Sequence, residues 1–370
     1  MSLPLTRLLR KLLHVAAKPM RHAQGKDGYV IHAYRGYGSH SEAFLMGRIF
    51  RQPGSRSQLA PGAGRDLMDV GRRMLRWGKS GVEVEVALGD NRTTAITDRD
   101  GYFSVHLPLD EPLEHQGQWH TARITACPPK QPPVEGEAQV YLPPISTRLG
   151  VISDIDDTVM YTGVANKLKM LYRLFIESAE RRTAFPGVAA LYQALHEGDD
   201  GQQQRPLLYV SRGPWSIYEM LEVFFQHNRI PVGPILFLRE WGLTLQRPLP
   251  RRSEDHKQAL IEKMLGLYDE MQFLLIGDSG QHDPEVYAEV VRCYPGRICA
   301  IYIRQIGDSD SRKAELDQLG EELAALGCVM LLSTDSLDMA HHAHANGYID
   351  AASVEMVRAE IEHQLADEPA

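Results

Sequence analysis

The sequence predicts an α/β fold in which a doubly wound parallel sheet follows an N-terminal β-rich accessory domain. Two observations carry this expectation. From about residue 146 onward, short apolar runs stop abruptly on acidic or hydroxyl residues and alternate with amphipathic stretches, as parallel strands joined by helices do. Between residues 28 and 145, apolar and polar positions instead alternate with period two around Gly- and Asp-containing turns, which is the pattern of hairpins.

Taken in chain order, segment 1–27 reads as a basic amphipathic helix. Leu5, Leu8, Leu9 and Leu12 share one stripe beside Arg7, Arg10 and Lys11, an arrangement open to two readings: lying on an anionic membrane surface, or packing on its own domain. Charges interrupt its apolar run, so it does not read as a secretory signal. In the accessory domain, 28–145, Val82, Val84, Val86 and Leu88 alternate with Glu83, Glu85 and Ala87, and Phe103, Val105 and Leu107 repeat the pattern after a turn at Asp98 to Gly101. The wording from Thr97 to Phe103 resembles small transthyretin-like or carboxypeptidase-regulatory-like modules, which implies a β-sandwich-like domain. Asp98 and Asp100 read as turn formers rather than calcium ligands. Arg65 to Lys79 reads as an inserted amphipathic helix with Leu67, Met68, Met74 and Leu75 on its apolar side. The proline pairs at 128–129, 132–133 and 143–144 disfavour helix and lead to the boundary between 145 and 146.

The second domain, 146–370, offers six strands: Gly150 to Ser153, Leu207 to Ser211, Ile235 to Leu238, Phe273 to Gly277, Cys299 to Ile303 and Cys328 to Leu332. Helical patterns at Val188 to His196, Ser216 to Gln226, Lys257 to Leu267 and Pro284 to Arg292 fill the gaps, and the tail after residue 336 is expected to be helical. This alternation makes a Rossmann-like doubly wound parallel sheet, whose ligands gather at the carboxyl edge of the strands.

Chemistry is expected where the first strand ends. In Val151-Ile152-Ser153-Asp154-Ile155-Asp156-Asp157-Thr158 the side chains of Asp154 and Asp156 project to one side of an extended segment. Two carboxylates about 4 Å apart repel by about 4 kcal/mol at a protein-like dielectric, so a cation or proton must share their site. Mg²⁺, a hard oxygen-seeking ion, suits them. A second apolar run ends on Gly277-Asp278-Ser279-Gly280-Gln281-His282-Asp283, with Asp283 as an outer contributor. A third ends on Ser211-Arg212-Gly213, and Lys257 stands at an expected helix start. Any one of these residues alone would read as a turn former or cap, but their order is specific.

In order and wording, DIDDTV, YVSRGPW, the His256-Lys257 pair, IGDSGQHDPEVY and AIYIR resemble the haloacid dehalogenase superfamily of aspartate-nucleophile phosphatases. Within it they are similar to the actin-patch-type phosphatidate phosphatase catalytic domain family. The resemblance covers about residues 146–306, with looser similarity around Tyr34 to Gly38 and Gly47-Arg48. It implies a haloacid dehalogenase-like fold with Asp154 as nucleophile and Asp156 as the acid, then base. Ser211 and Lys257 would contact the phosphoryl group, Thr158 would shape the loop, and Asp154, Asp156 and Asp278 would hold Mg²⁺. Where the family carries Ser-Ser-Pro, this chain has Ser211-Arg212-Gly213-Pro214, and Arg212 is a phosphate contact or a solvent-facing residue. The implied function is Mg²⁺-dependent hydrolysis of a phosphomonoester, phosphatidate foremost, through an aspartyl-phosphate. A soluble phosphate ester, a phosphoprotein or non-catalytic phosphatidate binding are the alternatives.

Composition narrows the remaining classes. A formal net charge of −8 argues against a general nucleic-acid binder, so phosphorylated substrate must be drawn by local positive charge. Cys127, Cys293, Cys299 and Cys328 form no CxxC pair and read as small buried hydrophobes in a reducing compartment. No run approaches the roughly 18 apolar residues of a membrane span, so a cytoplasmic protein, with or without peripheral membrane contact, is expected. Met160 to Pro186 mixes leucines with Lys167, Lys169, Arg173, Arg181 and Arg182. It suits either a cap selecting a lipid phosphate or an ordinary helix with a solvated face. His341, His342 and His344 read as a polar helix face.

Overall fold

A computed structural model describes residues 28–51, 78–110, 113, 119–155, 158–159, 185–211, 218–237, 253–307 and 309–366. The helix expected over 1–27, most of that expected over 65–79, and the 160–184 segment lie outside these residues. Two compact units divide after Ile145.

Eight strands build the first unit: β1 (Tyr29–Ala33), β2 (Gly36–Gly38), β3 (Glu42–Arg51), β4 (Glu83–Leu88), β5 (Asn91–Ile96), β6 (Tyr102–Pro108), β7 (Trp119–Cys127) and β8 (Val134–Tyr141). Their hydrogen-bonded order is β1-β3-β2-β8-β7-β4-β5, with β6 also paired to β3. All pairs are antiparallel except β2 with β8. The sequence leads one to expect a sandwich; here the strands form one hydrogen-bonded set, because short β2 pairs with β3 on one side and β8 on the other. Burial follows the alternation of β4, with Val84, Val86 and Leu88 inside, and these residues join Leu45, Phe103 and Ile124 in one apolar cluster. Each such side chain removed from water contributes about 1.5–3 kcal/mol. Asp98 is a turn former as expected: its Oδ1 accepts from the Asp100 and Tyr102 amides at 2.9 Å, and Gly101 takes a φ of 83° that a side chain would resist.

The second unit is mixed α/β. Its strands are β9 (Leu149–Asp154), β10 (Leu207–Ser211), β11 (Ile235–Phe237), β12 (Gln272–Asp278), β13 (Ile298–Arg304) and β14 (Val329–Ser333). They form one parallel sheet in the order β11-β10-β9-β12-β13-β14. From β9 the chain steps outward through β10 to β11, then returns to the other side of β9 for β12 to β14. The order therefore reverses between β9 and β12, where the outgoing connections part and leave a crevice at the carboxyl ends. All six residues of β9 are buried, as a central strand covered on both faces requires.

The helices are α1 (Val188–Glu197), α2 (Tyr218–His227), α3 (Ser253–Leu267), α4 (Asp283–Cys293), α5 (Asp310–Ala325), α6 (Ser336–Ala345) and α7 (Ala351–Ala366). Helices α1, α6 and α7 pack together, as do α3, α4 and α5. No helix among the described residues is long and apolar enough to cross a membrane. The cysteines depart from expectation: only Cys328 is buried, while Cys127 and Cys293 are exposed at the last positions of β7 and α4. His342 and His344 make local contacts, with Tyr302 Oη at 3.0 Å and the Ile349 carbonyl at 3.2 Å.

Candidate active site

The end of β9 is held before any ligand arrives. Ser153 Oγ donates to the Asp154 carbonyl at 2.7 Å, and Tyr192 Oη of α1, 2.6 Å away, donates to Ser153 Oγ. Burial raises the Tyr192 hydroxyl well above the ordinary phenol range, so it remains a donor at neutral pH. This fixes the backbone at the residue whose carboxylate must be aimed. Neither Ser153 nor Tyr192 is singled out by the sequence, since a serine inside an apolar run and a tyrosine on a helix carry no motif.

Asp154 is fully buried, and Lys257 reaches it from the second turn of α3. Lysine Nζ lies 2.6 Å from Asp154 Oδ1 and 2.5 Å from Asp283 Oδ1, with only 3% of its side chain exposed. A lysine is excluded from water only where carboxylates replace its hydration. The Tyr287 ring, centred 5.9 Å from Nζ, closes another side.

Asp278 ends β12, on the opposite side of the switch point from β10. Gln281 Nε2 donates to its Oδ2 at 2.9 Å, and its own amide donates to Asp283 Oδ2 at 3.3 Å. Asp283 opens α4, where the positive end of the helix favours an anion, and Pro284 follows at the position where a missing N–H costs nothing. Gly277 makes this approach feasible: a Cβ there would lie 2.6 Å from Asp283 Oδ2 and 2.8 Å from a Tyr287 ring carbon. Asp154, Asp278 and Asp283 each offer a carboxylate oxygen, all within 4.8 Å of one another.

The structure therefore brings together Asp154, Asp278 and Lys257, which the sequence places on separate motifs. Asp283, an outer contributor from sequence alone, sits at the centre instead. Its role was obscured because a helix-opening Asp is usually only a cap. Ser211 ends β10, fully buried, one residue beyond the Val210 to Asp154 register pair. Thr158 is buried, and its hydroxyl makes no hydrogen bond among the described residues. Asp156 and Arg212 lie outside the described residues. Ser279 Oγ accepts from the Ile306 amide at 2.9 Å, and His282 precedes α4 as its cap residue without a side-chain cap hydrogen bond.

Three buried carboxylates surround one ammonium, an all-oxygen donor set close enough to share a cation. A carboxylate beside an ammonium, at the carboxyl edge of a parallel sheet, is chemically able to act as a nucleophile next to a positive charge that would attract an anion.

Comparison with known proteins agrees with this geometry. Residues 149–305 match the family described as phosphatidate phosphatase APP1, catalytic domain. The chain is 32% identical over 188 residues to phosphatidate phosphatase APP1 of Saccharomyces cerevisiae, covering 48% of this chain and 30% of that one. It is 28% identical over 158 residues to an uncharacterized protein of Schizosaccharomyces pombe, covering 43% and 25% respectively. The chain thus spans under a third of the length of these curated relatives. Among solved structures, a carbohydrate acetylesterase from Xanthomonas citri aligns over 84% of this chain and 72% of its own at 11% identity, with a TM-score of 0.31 that carries no argument.

Proposed function

Because residues 149–305 match the phosphatidate phosphatase catalytic-domain family, we propose that this chain is a Mg²⁺-dependent, haloacid dehalogenase-like phosphatase that hydrolyses a phosphomonoester through an aspartyl-phosphate. Phosphatidate is the leading substrate. The single observation that carries the reading is the contact of Lys257 with Asp154 at the switch point of the sheet, with Asp278 and Asp283 alongside.

The donor set fits the metal. Three buried carboxylates offer only oxygen, and one ammonium does not balance them. Asp154 and Asp278 would hold the ion, with the Asp156 backbone carbonyl as the family resemblance implies. When bound, Mg²⁺ would draw negative charge from the transferring phosphoryl group.

The chain's own residues then divide the work. Asp154 attacks phosphorus, the bond from phosphorus to the ester oxygen breaks, and Asp156 gives that oxygen a proton. In the second half, Asp156 takes a proton from water, the water oxygen attacks phosphorus, and inorganic phosphate leaves with Asp154 restored. Lys257 lowers the cost of bringing an anion to Asp154; Ser211 and Thr158 offer hydroxyls to phosphate oxygens. Such transfers depend on alignment and charge neutralisation more than on a strong nucleophile, so a carboxylate suffices.

The test is release of inorganic phosphate from phosphatidate in mixed micelles, with and without Mg²⁺, beside soluble phosphate esters. Phosphatidate should be turned over preferentially and only with the metal, and Asp154→Asn should lower turnover by roughly 10³-fold or more. Preference for soluble esters would keep the chemistry and change the substrate. Full activity in Asp154→Asn would end the nucleophile assignment.

A further inference from the structure

Arg304 ends β13 directly beside Asp278, its register partner on β12, and is only 2% exposed. Its guanidinium sends each nitrogen to a different place. Nε donates to the Thr158 carbonyl at 3.3 Å, Nη1 to the Thr334 carbonyl at 3.4 Å and Nη2 to Ser336 Oγ at 3.1 Å. Ser336 Oγ in turn donates to the Pro186 carbonyl at 2.8 Å, and the Phe185 ring is centred 4.2 Å from the guanidinium carbon.

Two of these partners, Thr158 and Phe185, stand at the two ends of one excursion of the chain, and Ser336 links Arg304 to Pro186 at the second end. Thr158 and Val159 follow the strand that carries Asp154, while Phe185 and Pro186 lead into α1 and so to Tyr192. The ends also touch each other, the Phe185 amide donating to the Val159 carbonyl at 3.4 Å. All three hydrogen-bond acceptors of Arg304 are neutral, and burial lowers its pKa to about 10, so it remains charged at neutral pH. A buried cation without a carboxylate acceptor is costly to keep, and is tolerated where a planar fork satisfies several acceptors at once. None of these contacts is to Asp154, Asp278, Asp283 or Lys257, so Arg304 stands outside the reacting cluster.

We propose that Arg304 is a positioning residue that pins Thr158–Val159 and Phe185–Pro186 to the edge of the sheet and thereby fixes the path of the loop that leaves Asp154. Its kinetic consequence rests on the phosphatase reading; its structural consequence does not. Lysine at this position keeps the charge but can satisfy only part of the fork, so Arg304→Lys separates charge from tethering.

The experiment compares wild type, Arg304→Lys and Ser336→Ala in the full chain, by hydrogen–deuterium exchange and by phosphate release. In Arg304→Lys, peptides containing the Val159, Phe185 and Val188 amides should exchange about tenfold faster while those of β12 are unchanged. Turnover should fall about tenfold to a hundredfold with KM nearly constant, as expected when a reacting group is misplaced rather than lost. Ser336→Ala, the gentler change, should move both readouts the same way by less. Wild-type exchange at both stems in Arg304→Lys, or a rise spread equally through β12 and β13, overturns the proposal. If wild type releases no phosphate, the phosphatase reading fails, and the exchange data still decide the role of Arg304.

Discussion

The ammonium of Lys257 lies 2.6 Å from Asp154 Oδ1, with both side chains withdrawn from solvent. One residue ends the central strand and the other stands on a helix from the far side of the switch point, so their contact exists only in the folded sheet. A buried ion pair of this kind contributes little net stability, because desolvation offsets most of the attraction. On the proposed reading its value is chemical: it sets a positive charge beside the carboxylate where a phosphate would arrive.

Removing the cation should expose that cost. Lys257→Met leaves three buried carboxylates within 4.8 Å of one another and no ammonium among them. Loss of one partner from a buried pair costs about 3–5 kcal/mol, and urea denaturation should register it. Added Mg²⁺ should return part of that loss, since it binds only the folded cluster. Unchanged stability without metal would mean that the carboxylates are protonated or hydrated rather than paired with Lys257.

Metal should also stabilise the wild type. An ion that binds the native state alone adds about 2.7 kcal/mol at a hundredfold excess over its dissociation constant. The thermal midpoint should therefore rise with Mg²⁺ and fall with a chelator, and the response should vanish in Asp278→Asn. An Asp278→Asn protein that responds to Mg²⁺ like wild type would place the ion elsewhere.

Gly277 offers a purely steric test. Alanine at this position brings a methyl group within 2.6 Å of Asp283 Oδ2 and 2.8 Å of Tyr287, both on the first turns of α4. Crowding of that kind typically costs about 1–3 kcal/mol. Because Asp283 is also bonded to Lys257 at 2.5 Å, the shift should reach the Lys257 ammonium and lower turnover as well as the thermal midpoint. Wild-type values on both measurements would show that α4 can move aside freely.

The strands of the second unit were legible because each is an uninterrupted apolar run: Leu207 to Ser211 is observed with the expected ends, and among the described residues no end of the others differs by more than one residue. Asp154 and Asp278 were legible because they end apolar runs in an ordered series with Ser211 and Lys257, although either alone would read as a turn former or cap. The supporting residues were not. Tyr192 and Arg304 act through acceptors on remote segments, the Ser153 hydroxyl and the Thr158 carbonyl, and no local pattern announces such a partner. In the first unit only the strictly alternating strands could be read singly. Strand β2 is three residues long, and its parallel pairing with β8 depends on contacts far along the chain.

His196 supplies a pH-dependent prediction remote from the cluster. Its Nδ1 lies 2.6 Å from the Arg205 carbonyl, and a carbonyl can only accept, so Nδ1 carries the proton of the neutral ring. Burial lowers its pKa, outweighing the opposing effects of that bond and of Glu197. The folded state therefore binds fewer protons than the unfolded chain below the ordinary histidine value of about 6.5. Its contribution is complete above that value and is lost as pH falls through the lowered native pKa. His196→Asn keeps an N–H for the Arg205 carbonyl and removes the titration. Thermal midpoints measured between about pH 5 and 7.5 should fall less steeply in this variant than in wild type, with His342, also lowered by burial, keeping some residual slope. Identical slopes for the two proteins would assign the acid sensitivity to other groups.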